Sequence, residues 1–281
     1  MENKPFELIK KLLVKYIPNE LIEKLPVKWE KIGNVLVISL SKKLYYHEQE
    51  IGQAYANILK CKTVLKDVGG IIGDFRTPTV KVIYGSNNTE TIHKENGIKY
   101  KLDPQRVMFS SGNMQERLRM ANISNEDETV VDLFAGIGYF TLPMAVYSKP
   151  KKIYACEINP ISYDYLCENI SLNNVTNIVE PLKGDNRKIA PLNVAERVVM
   201  GYIGNTDKFL QIAFRCLKNN SGVIHFHDKY LIEVVPQKPL EIISKIAEKL
   251  SLNAKLIKYN SVKSYAPGID HYVFDFEVKE K

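Results

Sequence analysis

The run Val130-Val131-Asp132-Leu133-Phe134-Ala135-Gly136-Ile137-Gly138 decides the fold. Val130-Val131 reads as the end of a strand, and Phe134 to Gly138 as a turn that feeds a helix. Two glycines let the backbone turn tightly and approach a ligand at the carboxyl edge of a sheet. Glu157 follows at the end of the next strand, where a carboxylate can accept both ribose hydroxyls of an adenosine. Strand, G-x-G, helix, strand and acid in that order specify far more than G-x-G alone.

Outward from this run the pattern alternates. Strands are expected at 129–132, 152–157, 178–183, 197–201 and 222–227, with helices at 139–147, 160–172, 207–217 and 239–250. Alternation implies a mostly parallel, Rossmann-like sheet with helices on both faces. Two last strands, 255–264 and 271–278, flank the turn Pro267-Gly268, so the closing pair is antiparallel. Upstream, helices at 5–25 and 44–60 and strands at 29–40, 61–65, 79–84 and 90–102 make an α+β domain. The expected division is 1–104 for that domain and 105–281 for the Rossmann-like catalytic domain, with a short helix at 115–121 opening the second.

The third glycine of a dinucleotide fingerprint is missing, because Thr141 occupies its place. In dinucleotide proteins that glycine permits close helix–strand packing behind a pyrophosphate. Asp132 beside the loop also disfavours a pyrophosphate. Both points favour S-adenosylmethionine, which has no phosphate, over NAD, and make an NAD-dependent oxidoreductase the weaker reading. Asp185-Asn186 follows the third strand and can bond an adenine edge; an ordinary turn is the competing reading. Tyr202, after the fourth strand, either lines the crevice or packs as a core aromatic.

A net charge of +7 over 281 residues is a weak footprint for a polyanion. Arg117, Arg119, Lys94, Lys99 and Lys101 are candidates for a phosphate track. The four cysteines, Cys61, Cys156, Cys167 and Cys216, form no C-x-x-C pair, which argues against a zinc ribbon or a disulfide framework. His225 and His227 share one strand face but lack a third ligand, so core packing and no metal are expected. Charges at Glu2 and Lys4, and no apolar run of about twenty residues, point to a cytoplasmic protein without a membrane span.

Asp132 to Phe140 resembles the cofactor loop of the archaeal and eukaryotic enzymes that modify guanosine 37 of tRNA. The same group is matched by Asn159-Pro160 with Tyr165 to Asn173, by Phe75-Arg76-Thr77-Pro78, by Glu90 to Gly97, and by Phe109-Ser110 with Glu116-Arg117. The resemblance implies S-adenosylmethionine as co-substrate and the anticodon loop of phenylalanine tRNA as partner. It implies cofactor contacts at Ser110, Arg117, Asp132, Phe134, Gly136, Glu157, Asp185 and Asn186, with Arg117 and Tyr202 as positioning candidates. A monomer is expected.

Two activities share this family: guanine-N1 methyl transfer, and transfer of the 3-amino-3-carboxypropyl group to the tricyclic wyosine precursor. The methyltransferases carry Asn-Leu-Pro at the end of the fourth strand. This chain has Met200-Gly201-Tyr202, followed by Thr206 and Phe209, and with Ile224-His225-Phe226-His227 and Tyr265-Ala266-Pro267-Gly268 it is similar to the aminocarboxypropyl branch. Gly204-Asn205 departs from the more basic stretch expected there. A non-catalytic RNA-binding protein is the alternative from a different class.

Overall fold

The computed structural model describes residues 4–73 and 75–281; Glu2 and Asp74 fall outside the described residues. The chain divides into two units, Met1–Ser111 and Gly112–Lys281.

In the first unit, helix α1 (Lys4–Leu13) buries Phe6, Ile9 and Leu13 at helical spacing, and Pro18 separates it from α2 (Asn19–Ile22). The single strand expected at 29–40 is instead a hairpin, β1 (Glu30–Ile32) and β2 (Val35–Ser39), turning at Gly33-Asn34. After α3 (Glu48–Leu59), strands β3 (Thr63–Ile72) and β4 (Thr77–Gly85) complete a sheet ordered β1-β2-β3-β4, in which only β2 and β3 run parallel. The strand expected at 90–102 is likewise two, β5 (Thr91–Glu95) and β6 (Ile98–Leu102). Asn96 and Gly97, both at positive φ, make the tight turn between them, a combination suited to a two-residue hairpin.

The second unit opens with α4 (Met114–Met120) and builds one seven-stranded sheet. Its strands are β7 (Thr129–Asp132), β8 (Lys152–Glu157), β9 (Val179–Lys183), β10 (Arg197–Met200), β11 (Gly222–Leu231), β12 (Leu252–Ala266) and β13 (Ile269–Glu280). The order is β12-β13-β11-β10-β7-β8-β9, and β13 alone runs antiparallel to both neighbours. The Rossmann-like sheet expected from the alternation is therefore present. Its central strands β7 and β10 are short, and their valines, Val130, Val131, Val198 and Val199, are fully buried.

Between the strands lie α5 (Thr141–Pro143), α6 (Pro160–Leu172), α7 (Asn186–Ile189), α8 (Leu210–Cys216) and α9 (Gln237–Lys249). The helix expected at 139–147 starts later and changes type. Pro143 has no N–H to donate, and the chain continues as a wider π turn over Met144–Ser148, closed by Lys149 N–H to Met144 O at 2.9 Å. Sheet order reverses between β10 and β7, so the crevice beyond their carboxyl ends is the place where such sheets hold ligands.

Candidate functional site

The loop after β7 is held from three sides. Asp132 is fully buried; its Oδ2 accepts the Thr141 hydroxyl at 2.7 Å and its Oδ1 accepts the Phe134 N–H at 3.1 Å. Burial pushes this carboxyl up to about 6, against the pull of those two donors. Thr141, noted in the sequence only for not being glycine, is thus the partner of the buried acid. Ala135 N–H donates to Cys156 O at 2.9 Å and ties the loop to β8. Gly136 (φ +59°) and Gly138 (φ +102°) both lie in the left-handed region. A Cβ would stand 2.4 Å from the Tyr139 ring at the first and 2.6 Å from Leu142 at the second.

Glu157 joins this loop to the next one. Its Oε2 accepts Gly136 N–H at 2.7 Å, and its Oε1 accepts Asn159 N–H at 2.7 Å. Burial raises the Glu157 carboxyl to about 7, partly offset by those N–H groups. Two carboxylate oxygens carry about four acceptor positions, so ribose hydroxyls can still be accepted beside the two backbone donors. Asn159, the N-cap of α6, accepts Ile161 N–H through its side chain, with Pro160 next in line.

Asp185 caps α7 and accepts both the backbone N–H and the guanidinium of Arg187, which hold its carboxyl below the usual range. Asn186 is buried; its Nδ2 donates to Leu133 O at 2.7 Å. Its Oδ1 is a buried acceptor with no hydrogen-bond partner among the described residues. Leu133 therefore fixes which way the amide faces, and an acceptor is what an adenine amino group requires. Tyr202 stacks on Phe134 with centroids 5.0 Å apart and planes 18° apart. Phe209 stands edge-on to Phe134 at 4.9 Å, and the Arg187 guanidinium lies 5.3 Å from the Phe209 ring.

Asp132, Phe134, Gly136 and Glu157 are thus one connected loop system, joined by Asn186 through Leu133 and by Tyr202 through Phe134. Arg117 sits in α4, which packs on α5, and is only 2% exposed. Ser110 belongs to the first unit and is half-buried. A glycine cradle closed by a buried carboxylate, with no basic side chain in it, fits an adenosine-bearing sulfonium better than a pyrophosphate.

The TRM5/TYW2 methyltransferase domain model matches residues 91–256, and the TYW2 N-terminal domain model matches residues 9–89. The chain belongs to the TRM5/TYW2 family. Among its relatives, a Methanocaldococcus jannaschii protein named tRNA(Phe) (4-demethylwyosine(37)-C(7)) aminocarboxypropyltransferase is 48% identical, over 89% of this chain and 97% of that one. The crystal structure of P. horikoshii TYW2 in complex with MeSAdo superposes with a TM-score of 0.88 at 38% identity, covering 98% of this chain and 100% of that one. M. jannaschii TYW2 in complex with AdoMet gives a TM-score of 0.73 at 42% identity over 90% and 100%.

In this TRM5/TYW2 chain the expected phosphate track needs correction. Arg119 does not face solvent. Its guanidinium bonds Glu116 at 2.7 and 2.8 Å and Asp275 at 2.9 Å, all three side chains being largely buried. Arg117 is buried too, whereas Lys94 and Lys99 are exposed and Lys101 pairs with Glu90 at 3.0 Å. The histidines are in the core, but as a polar network. His225 Nδ1 meets Asp275 Oδ1 at 2.5 Å, and its Nε2 lies 2.7 Å from Arg197 Nη1. Arginine can only donate, so Nε2 is the acceptor and Nδ1 carries the proton. Burial brings His227 down to about 3, so its 3.5 Å approach to Glu116 is a contact of a neutral ring and no ion pair. Among the described residues no group of three or more His, Cys, Asp or Glu could hold a metal ion.

Proposed function

We propose that this protein transfers the 3-amino-3-carboxypropyl group of S-adenosylmethionine to C7 of 4-demethylwyosine at position 37 of phenylalanine tRNA. The observation that carries this reading is the near end-to-end match to a relative named for that reaction, together with the TYW2 model over the N-terminal region. MeSAdo, which we take as 5′-methylthioadenosine, is the by-product such a transfer releases, and a relative has been solved with it.

The loop residues Asp132, Phe134 and Gly136 would hold the cofactor, with Glu157 on its ribose, Asp185 and Asn186 on its adenine, and Ser110 and Arg117 towards its methionine part. When bound, the sulfonium offers an activated carbon whose bond to sulfur breaks with its electron pair leaving on sulfur, while C7 of the base forms the new bond and loses its proton. The protein's part is to hold that carbon about 3–3.5 Å from the nucleophile. Gly201 favours this branch over guanine-N1 methylation. It offers no side chain to bond a guanine, and the Phe140 ring lies 2.6 Å from where a Cβ would stand.

The first unit is proposed to contact tRNA. It carries a cleft of about 810 Å³ whose lining includes Lys31, His93, Lys94 and Lys101 beside Glu90, which pairs with Lys101 at 3.0 Å; the exposed Lys94 is the cation best placed to meet a phosphate. An anticodon-loop footprint, a monomeric state and a cytoplasmic setting belong to the same proposal. No helix among the described residues is long and apolar enough to cross a membrane. Incubation with S-adenosylmethionine and tRNA bearing the tricyclic base, followed by mass analysis of base and by-product, tests the reaction. Methylthioadenosine is expected, and S-adenosylhomocysteine would replace this reading with methyl transfer.

A further inference from the structure

Tyr202 stands on an irregular stretch between β10 and the turn at Thr206–Phe209, yet that stretch is firmly held. Strand β11 continues five residues past Phe226, its last partner to β10, and Asp228 lies on this extension. The Asp228 carboxylate is buried; its Oδ1 accepts Gly204 N–H at 2.9 Å and its Oδ2 accepts Thr206 N–H at 3.0 Å. Thr206, fully buried, returns its hydroxyl to Tyr202 O at 3.0 Å. One carboxylate therefore sets the backbone on which the Tyr202 ring stacks against Phe134.

We propose that the Tyr202 ring, backed by Phe134 and Phe209 and set in place by Asp228, is the seat on which the flat base of the tRNA substrate stacks. This rests on the aminocarboxypropyl reading for the identity of that base. Three half-buried aromatics gather where the sheet order reverses, at the ends of β7 and β10. Phe134 belongs to the cofactor loop and Tyr202 to the neighbouring one, so their stack links the cofactor to the surface beside it. A tricyclic base offers a larger π-face than guanine, and base–aromatic stacking requires no hydrogen-bond code. Phe209 stands edge-on to both rings, a favoured aromatic arrangement. Asp228 acts through the loop and is a positioning residue.

The test compares the full chain with Tyr202→Phe, Tyr202→Leu and Asp228→Asn. Affinity is measured for tRNA carrying 4-demethylwyosine, for the same tRNA with guanosine at position 37, and for S-adenosylmethionine alone. Tyr202→Phe should bind all three like the parent. Tyr202→Leu keeps apolar packing but should lose on the order of tenfold in affinity for the tricyclic tRNA, with the guanosine tRNA and cofactor little changed. Asp228→Asn should raise KM for the tricyclic tRNA more than it lowers kcat, at unchanged cofactor affinity and with a melting curve that reports folding. A loss falling on the cofactor, parental discrimination in Tyr202→Leu, or a parent that binds both tRNAs equally would overturn the proposal. Failure of the reaction assignment is read separately, from the by-product.

Discussion

The backbone N–H of Gly136 donates to Glu157 Oε2 at 2.7 Å, so the turn after β7 and the acid after β8 form one unit. Because burial lifts Glu157 to about 7, its charge changes within the physiological range. Below that value the group is protonated and loses acceptor capacity toward ribose hydroxyls. Affinity for S-adenosylmethionine should therefore weaken as pH falls from 8 to 6, and Glu157→Gln should flatten the profile. Calorimetry across that window checks it; a parent profile as flat as the variant's would refute the assignment.

Glu157→Ala should lower turnover by about a hundredfold or more, because the variant loses both the ribose acceptor and the clamp on Gly136. Arg117→Ala should also abolish most activity. With Arg117 only 2% exposed, that loss should come with a lowered melting temperature, about 2–5 kcal/mol in stability. Steady-state kinetics paired with thermal melts separate the two cases.

Gly138→Ala forces a side chain into φ +102° and against Leu142, so it should destabilise by about 1–3 kcal/mol. Urea unfolding at pH 7 measures this. A variant as stable as the parent would mean the turn relaxes more readily than its geometry implies.

Arg119→Ala leaves Glu116 and Asp275 as buried carboxylates short of a partner and should cost about 3–5 kcal/mol. Burial alone would raise Asp275; the hydrogen bond from His225 and the charges of Arg119 and Lys258 bring it down to about 2, from an ordinary 3.8. A depressed carboxyl stabilises the fold above its unfolded value and gives that up as pH falls through its folded value. Stability from this cluster should be intact at pH 5 and decline between about 4 and 2, and Arg119→Ala should reduce that acid-dependent part. Denaturant melts at pH 5 and pH 2.5 supply the comparison.

The second unit was legible because its central strands carry apolar pairs, Val130-Val131 and Val198-Val199, and a candidate acid, Glu157, comes at the next strand's end. What escaped was mostly local punctuation inside segments read as single strands. Gly33-Asn34 and Asn96-Gly97 each split one expected strand into a hairpin, and Asn-Gly was a readable turn signal. Helix α7, four residues long, is too short for any periodicity to register. Asp228 and its hold on Gly204 and Thr206 escaped for another reason. That hold depends on an extended β11 lying beside a loop more than twenty residues earlier, a juxtaposition that spacing alone does not encode. Arg119 looked like a surface cation because charge is visible in sequence and burial is not.

The central claim is the identity of the transferred group. Purified protein, S-adenosylmethionine and tRNA carrying 4-demethylwyosine should yield 5′-methylthioadenosine and a base heavier by one aminocarboxypropyl group, read by mass spectrometry. S-adenosylhomocysteine with a methylated base would contradict it.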